Sequence, residues 1–366
     1  MKFKCDRDAL SDALQTVQRA VSSRPGIPAL TGVLMNASGA ELVLATTDLE
    51  VSARLRLQVN VQEEGVALIP ARLLADMVKS FDQAPVELVA EDRQARIVCN
   101  NYEGTVRLLP AEDFPALQDP AGTRVTVAAP ALGEGIQQVT RAASRDEARP
   151  ILTGVLLEIS REGLTMVATD SYRLAVRELP ATAPGEAKAL VPERALAEVG
   201  RAASGEEKGE AEIFVDTGQV GVRTGNLTLM SRLIEGEFPN YRQLLPERYD
   251  NRLTGSRQQL LDAVRRVGLL ARENSPVRLE FNALGVRLTS SSPDLGGAVE
   301  VVEASYEGED MTAAFNPGYL IDGLTAAVGE RVHIEVRDGL KPAVIRGEGE
   351  AFVYLVMPVR LPAPVG

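Results

Sequence analysis

Apolar positions recur at helical spacing three times along the chain. Leu10, Leu14 and Val17 fall at i, i+4 and i+7; Leu132, Ile136 and Val139 repeat them 122 residues later, and Leu260, Val264 and Val267 repeat them again after a further 128. Such a stripe predicts a helix with one buried face. Asp6 is placed to cap the first helix, and Ser256 with Gln259 three residues on reads as a capping box for the third. After each helix the period changes from helical to alternating. In the first copy this gives strands over residues 33–35, 42–45 and 51–57, with Val51, Ala53, Leu55 and Leu57 on one face.

A second helix follows in each copy. Ile69-Pro70-Ala71-Arg72 opens one with Leu74, Met77 and Val78 turned inward; Val191-Pro192-Glu193-Arg194 with Leu196 and Val199 repeats it at an offset of 122, and Phe315-Asn316-Pro317-Gly318 with Leu320 and Leu324 at 124. Proline is expected at the first helical position, where the missing N–H has no intrahelical acceptor to lose. The strands carry the same register: Leu30-Thr31-Gly32-Val33-Leu34 returns as Leu152-Thr153-Gly154-Val155-Leu156, and Thr47-Asp48 as Thr169-Asp170, both at 122. The closing segments 108–115 and 233–239 are expected to be strands carrying a turn.

A register of this length in 366 residues predicts three copies of one domain, divided by the polar, turn-forming stretches at 118–122 and 246–251 into residues 1–120, 121–248 and 249–366. Each copy is α+β, two helices packed on antiparallel sheets. Similar units stack either into an open solenoid or into a closed ring, and spacing alone leaves both open.

Composition narrows the function. One histidine, His333, lies on an alternating strand at an expected exposed position, which removes histidine-dependent triads and metal sites. Cys5 and Cys99 have neither metal nor redox-motif spacing and suit a reducing compartment. The start of the chain has no apolar leader and no run is long enough to span a bilayer, so a cytoplasmic protein is expected. Acidic pairs such as Asp146-Glu147 and Glu206-Glu207 lie in polar, loop-like segments; the chain shows no catalytic constellation, and no cofactor or metal is expected. A net charge of −12 argues against a conventional nucleic-acid binder, which draws on a basic surface.

With the register go the motifs RPILTGVLL (149–157), ATDSYRLAV (168–176), SRLIEGEFPNY (231–241), FNPGYLIDGL (315–324) and YLVMPVRL (354–361). Through them the chain resembles, over its whole length, the bacterial DNA polymerase III beta subunit, the sliding clamp family. The resemblance implies a head-to-tail homodimer whose three repeated DNA-clamp domains per copy close a six-domain ring around double-stranded DNA. Such a ring tethers the replicative polymerase and performs no chemistry.

Repeated basic positions agree with this. Arg72 and Lys79 recur at the 122 offset as Arg194 and Arg201; Arg19 maps to Arg141, and Arg24, Arg145, Arg149, Arg265 and Arg266 complete the expected DNA-facing set. The third copy departs, with Gly318 and Thr325 at the matching places, and Asp8, Asp12, Glu134 and Asp262 dilute the field. Enclosure needs little affinity, and each phosphate contact adds salt dependence.

The resemblance also implies a cleft for short peptide motifs of polymerase, clamp loader and repair proteins. It is formed by Leu152, Thr169, Tyr172, Arg173, Leu174, Pro239, Leu244, Asn316, Tyr319, Leu340, Leu355, Val356, Met357, Pro358, Val359, Arg360 and Leu361. Taken without the family, Leu174 and Val356 belong to the core. Ser171-Tyr172 and Asn274 differ from common family residues, and a tail, 362–366, extends past the usual terminal Leu toward the cleft mouth. Leu269 and Leu270 are the implied dimer seam.

Overall fold

The computed structural model describes residues 1–21, 26–245, 248–271, 275–348 and 351–360. Arg24, Asn274, Leu361 and the tail 362–366 lie outside the described residues. Among the described residues are six α-helices: α1 (Arg7–Val17), α2 (Ala71–Ser80), α3 (Ala129–Val139), α4 (Glu193–Ser204), α5 (Arg257–Gly268) and α6 (Pro317–Ala326).

The helix signals act where the spacing placed them. The Asp6 carboxylate accepts the Ala9 N–H at 2.9 Å, and α1 buries Leu10, Leu14 and Val17. The Ser256 hydroxyl accepts the Gln259 N–H at 3.4 Å, and α5 buries Leu260, Val264 and Val267. The prolines split: Pro317 is the first residue of α6, whereas Pro70 and Pro192 each end a strand and precede their helix by one place. Met77 is half-buried beside the fully buried Leu74 and Val78.

The chain forms two compact units, residues 1–133 with 181–233, and residues 134–180 with 234–366. In the first, Asn60–Glu63, Lys2–Cys5, Val86–Glu91, Gln94–Cys99 and Tyr102–Arg107 make an antiparallel sheet in that order. A longer sheet joins strands of the first and middle copies, with Leu227–Arg232 paired antiparallel to Val51–Gln58, Ser231 opposite Val51. In the second unit Arg173–Leu179 pairs the same way with Phe352–Val356, Arg173 opposite Val356. There a separate sheet runs Gly296–Glu303, Gly285–Ser292, Val277–Asn282, Met311–Phe315. The middle copy therefore supplies strands to both units.

Three local expectations change. Segments 108–115 and 233–239 follow the strands Tyr102–Arg107 and Leu227–Arg232 and soon leave them: the Leu108 and Leu233 N–H groups still donate to the Arg93 and Gly218 carbonyls at 2.9 and 3.1 Å, Leu109 bridges to Leu68, and Ala111–Asp113 is a 3-10 turn. Prolines at 110, 115 and 239 remove the ladder donors a strand would need. His333 is half-buried, its Nδ1 hydrogen-bonded to the Thr254 hydroxyl at 2.9 Å across the strand pair.

Candidate partner-binding cleft

The cleft is built on a five-residue turn in the second unit. The Thr169 hydroxyl donates to the Arg173 carbonyl at 2.6 Å and accepts the Ser171 N–H at 3.2 Å. The Asp170 carboxylate accepts the N–H groups of Tyr172 and Arg173 at 2.9 and 3.0 Å. Ser171 is thereby held at φ 81°, in the left-handed region. A short polar side chain turns the backbone on itself, so Tyr172 projects outward while Leu174, one residue into the strand Arg173–Leu179, is buried.

Arg173 points the other way, into a polar cluster. Its Nε donates to Asp170 at 3.0 Å, its Nη1 pairs with Asp322 on α6 and lies 3.5 Å from the Tyr354 hydroxyl, and its guanidinium sits 4.4 Å over the Tyr319 ring. Burial works against the guanidinium's charge, but Tyr354, Asp322 and Asp170 outweigh it and hold the proton more firmly than in a free arginine. Burial pushes the Tyr354 phenol well above its usual range and raises Tyr319, with Asp170 adding to the latter. All three groups therefore keep one charge state at neutral pH, so the cluster is a fixed support.

Above this support lies a cavity of about 470 Å³, lined by Tyr172, Asn316, Tyr319, Met357, Pro358 and Val359 together with Ser275 and Pro276. Its edge is set by the chain leaving the strand Phe352–Val356: the Met357 N–H donates to the Tyr172 carbonyl at 2.8 Å and the Val359 N–H to the Ala314 carbonyl at 2.7 Å. Asn316 caps α6, accepting the Tyr319 N–H at 3.2 Å, so one side chain ends a helix and lines the cavity. Exposed Tyr172 and Met357 offer a ring and a soft thioether, surfaces that adapt to apolar anchors.

Of the expected cleft residues, six line this cavity. Leu152, Thr169, Leu174, Leu355 and Val356 are buried beneath, and Arg173 braces the Tyr319 wall. Leu174 and Val356 are 1% and 0% exposed, as the core reading taken without the family expects. Pro239, Leu244, Leu340 and Arg360 are exposed and do not line it. Ser275, Pro276, Asp170 and Asp322 were not expected; Asp170 and Asp322 stood in the quoted motifs ATDSYRLAV and FNPGYLIDGL, but the pairing of Asp322 with Arg173, 149 residues away, left no local signal.

The expected basic residues are all exposed where described, but most are paired. Arg194 meets Asp48 at 3.0 Å, Arg201 meets Glu198 at 3.2 Å, Arg141 meets Asp322 at 3.7 Å, Arg149 meets Asp146 at 2.8 Å, Arg265 meets Asp262 at 3.5 Å and Arg266 meets Glu300. Among the described residues, Arg72, Lys79 and Arg145 make no ion pair. At the expected seam Leu269 is 79% exposed just past α5, and Leu270 is half-buried.

Models of the DNA polymerase III beta subunit match the chain end to end, the N-terminal domain over residues 1–118, the central domain over 126–240 and the C-terminal domain over 242–360. The chain belongs to the DNA polymerase III beta subunit family, the sliding clamps. It is 36% identical over 377 residues to the beta sliding clamp of Streptomyces coelicolor, covering 99% of this chain and 100% of that one. The sliding clamp of Pseudomonas aeruginosa bound to griselimycin superposes with a TM-score of 0.92 at 31% identity, covering 99% of this chain and 100% of that one. The Bacillus subtilis clamp superposes at 0.90 with 28% identity over the same shares. The three-domain α+β organisation and the role of a processivity clamp in DNA replication follow from this membership. No helix among the described residues is long and apolar enough to cross a membrane.

Proposed function

We propose that two copies of this chain close head to tail into a six-domain ring around double-stranded DNA, each contributing modules 1–120, 121–248 and 249–366. The ring acts in the cytoplasm without chemistry of its own. Two sheet ends support the closure. Tyr102–Arg107 ends a sheet of the first module, where exposed Tyr102 packs on Phe81 at 5.0 Å, and Gly296–Glu303 ends a sheet of the third, presenting Val299 and Val301 outward. Sheet ends with apolar side chains are prone to pairing with another chain. Leu269 adds an apolar contact at the same seam.

The observation that carries the partner reading is the Tyr172–Met357 cavity, open, apolar-walled and braced from below by Arg173. It suits an extended peptide with apolar anchors, the form in which replicative polymerase, clamp loader and repair proteins would dock. Griselimycin, bound by the Pseudomonas aeruginosa clamp, serves as the probe for the cleft of this chain. Isothermal calorimetry should show one griselimycin site per chain, competing with a polymerase tail peptide; absence of binding would refute the cleft. For the ring, protein loaded by a clamp loader should stay on circular DNA and slip from linear DNA, and equal retention on both would refute enclosure.

A further inference from the structure

Asp322 stands between two arginines of different character. One of its carboxylate oxygens pairs with Arg173, the brace under the cleft wall; the other lies 3.7 Å from Arg141 Nη1, an exposed cation on the 3-10 turn Thr140–Ala142. Close approach of α6 makes this possible: a Cβ on the neighbouring Gly323 would lie 2.5 Å from the Tyr354 ring, so only glycine lets the helix settle there. We propose that Asp322 is a positioning residue of the partner cleft and couples its occupation to phosphate binding at Arg141. This rests on the readings above that the cleft takes peptides and that Arg141 faces DNA.

The physical basis is a carboxylate shared by two cations. Arg173 is confined by Asp170 on its Nε edge and Asp322 on its Nη1 edge, and this confinement holds the guanidinium over Tyr319. Arg141 draws on the same charge. A DNA phosphate that engages Arg141 releases the whole carboxylate to Arg173, stiffens the Tyr319 wall and lowers the ordering a peptide must impose on binding. Linkage makes the effect mutual: a filled cleft tightens phosphate binding by the same factor.

The test measures griselimycin affinity of the full-length protein at low salt, with and without a short double-stranded oligonucleotide, for the native chain, Asp322→Asn, Asp322→Glu and Arg141→Gln. Duplex should tighten native binding about threefold, the scale of an exposed ion pair. Asp322→Asn should weaken binding about tenfold by freeing Arg173, the scale of one charge-assisted hydrogen bond, with Asp322→Glu restoring much of it. Arg141→Gln should bind about threefold more tightly without duplex, again the scale of an exposed pair, and respond to duplex no further. Opposite signs from the two substitutions are not what a general loss of structure produces. A folded Asp322→Asn with native affinity, or an Arg141→Gln that keeps the duplex response, overturns the coupling. Should Asp322→Asn not fold, Arg141→Gln decides alone. A native chain that ignores griselimycin refutes the cleft itself, a distinct failure.

Discussion

The backbone N–H of Met357 donates to the carbonyl of Tyr172 at 2.8 Å, and in the other unit the N–H of Arg232 donates to the carbonyl of Glu50 at 2.9 Å. The turns behind these bonds match as well. Thr47 bonds Val51 as Thr169 bonds Arg173, Asp48 accepts two N–H groups as Asp170 does, and Leu49 sits at φ 75° where Ser171 sits at 81°. One backbone device thus serves both units. Side chains distinguish them: Tyr172 and Met357 stand at one mouth, and Glu50 and Arg232, beside the exposed Leu49, at the other.

Polar substitution should separate mouth from core. Met357 is 39% exposed and Leu174 only 1%. Met357→Asn should leave the melting temperature within a few degrees and weaken griselimycin binding at least about tenfold, whereas Leu174→Asn should destabilise the protein by roughly 3 kcal/mol through a buried amide and poorer packing. Calorimetric melting and binding on both variants check this.

Arg72 and Lys79 have no ion partner among the described residues, so a phosphate need not displace a carboxylate to reach them. Replacing both by Ala should lower the slope of log K against log salt by about 0.9 for each phosphate no longer neutralised. Arg201, held by Glu198 at 3.2 Å, should show a smaller change.

Leu269→Glu places a charge at the proposed seam. Light scattering at micromolar concentration should shift from dimer toward monomer mass while circular dichroism stays unchanged, because the side chain is 79% exposed within the chain. A dimer undiminished would remove Leu269 from the seam.

Burial pushes the Cys5 thiol up to about 12, with Asp6 adding to the effect. The folded state thus favours the protonated thiol. That stabilisation is fully present below the unfolded value of 9.0 and is lost as pH rises toward about 12. Cys5 should resist a thiol reagent at pH 8 in native protein and react once it is unfolded, and Cys5→Ala should flatten the alkaline fall in melting temperature.

Repetition and periodicity were legible in the sequence because both are local. The spacing of Leu10, Leu14 and Val17 places one face of α1 in the core, Asp6 and Ser256 satisfy N–H groups three residues away, and the Thr169-Asp170 turn is closed by its own neighbours. Six residues of the quoted motifs come together around one cavity. Charge was not: Asp48 reaches Arg194 across 146 residues and Asp322 reaches Arg173 across 149, so the neutralised arginines and the braced wall exist only once the strands are in register. The sequence by itself determined three α+β copies and the turn that each unit reuses. Only tertiary structure decided which copies share a sheet, which expected cleft residues line the cavity and which are buried, and where each carboxylate finds its cation, because a distant pair forms only when folding has already brought its backbones together.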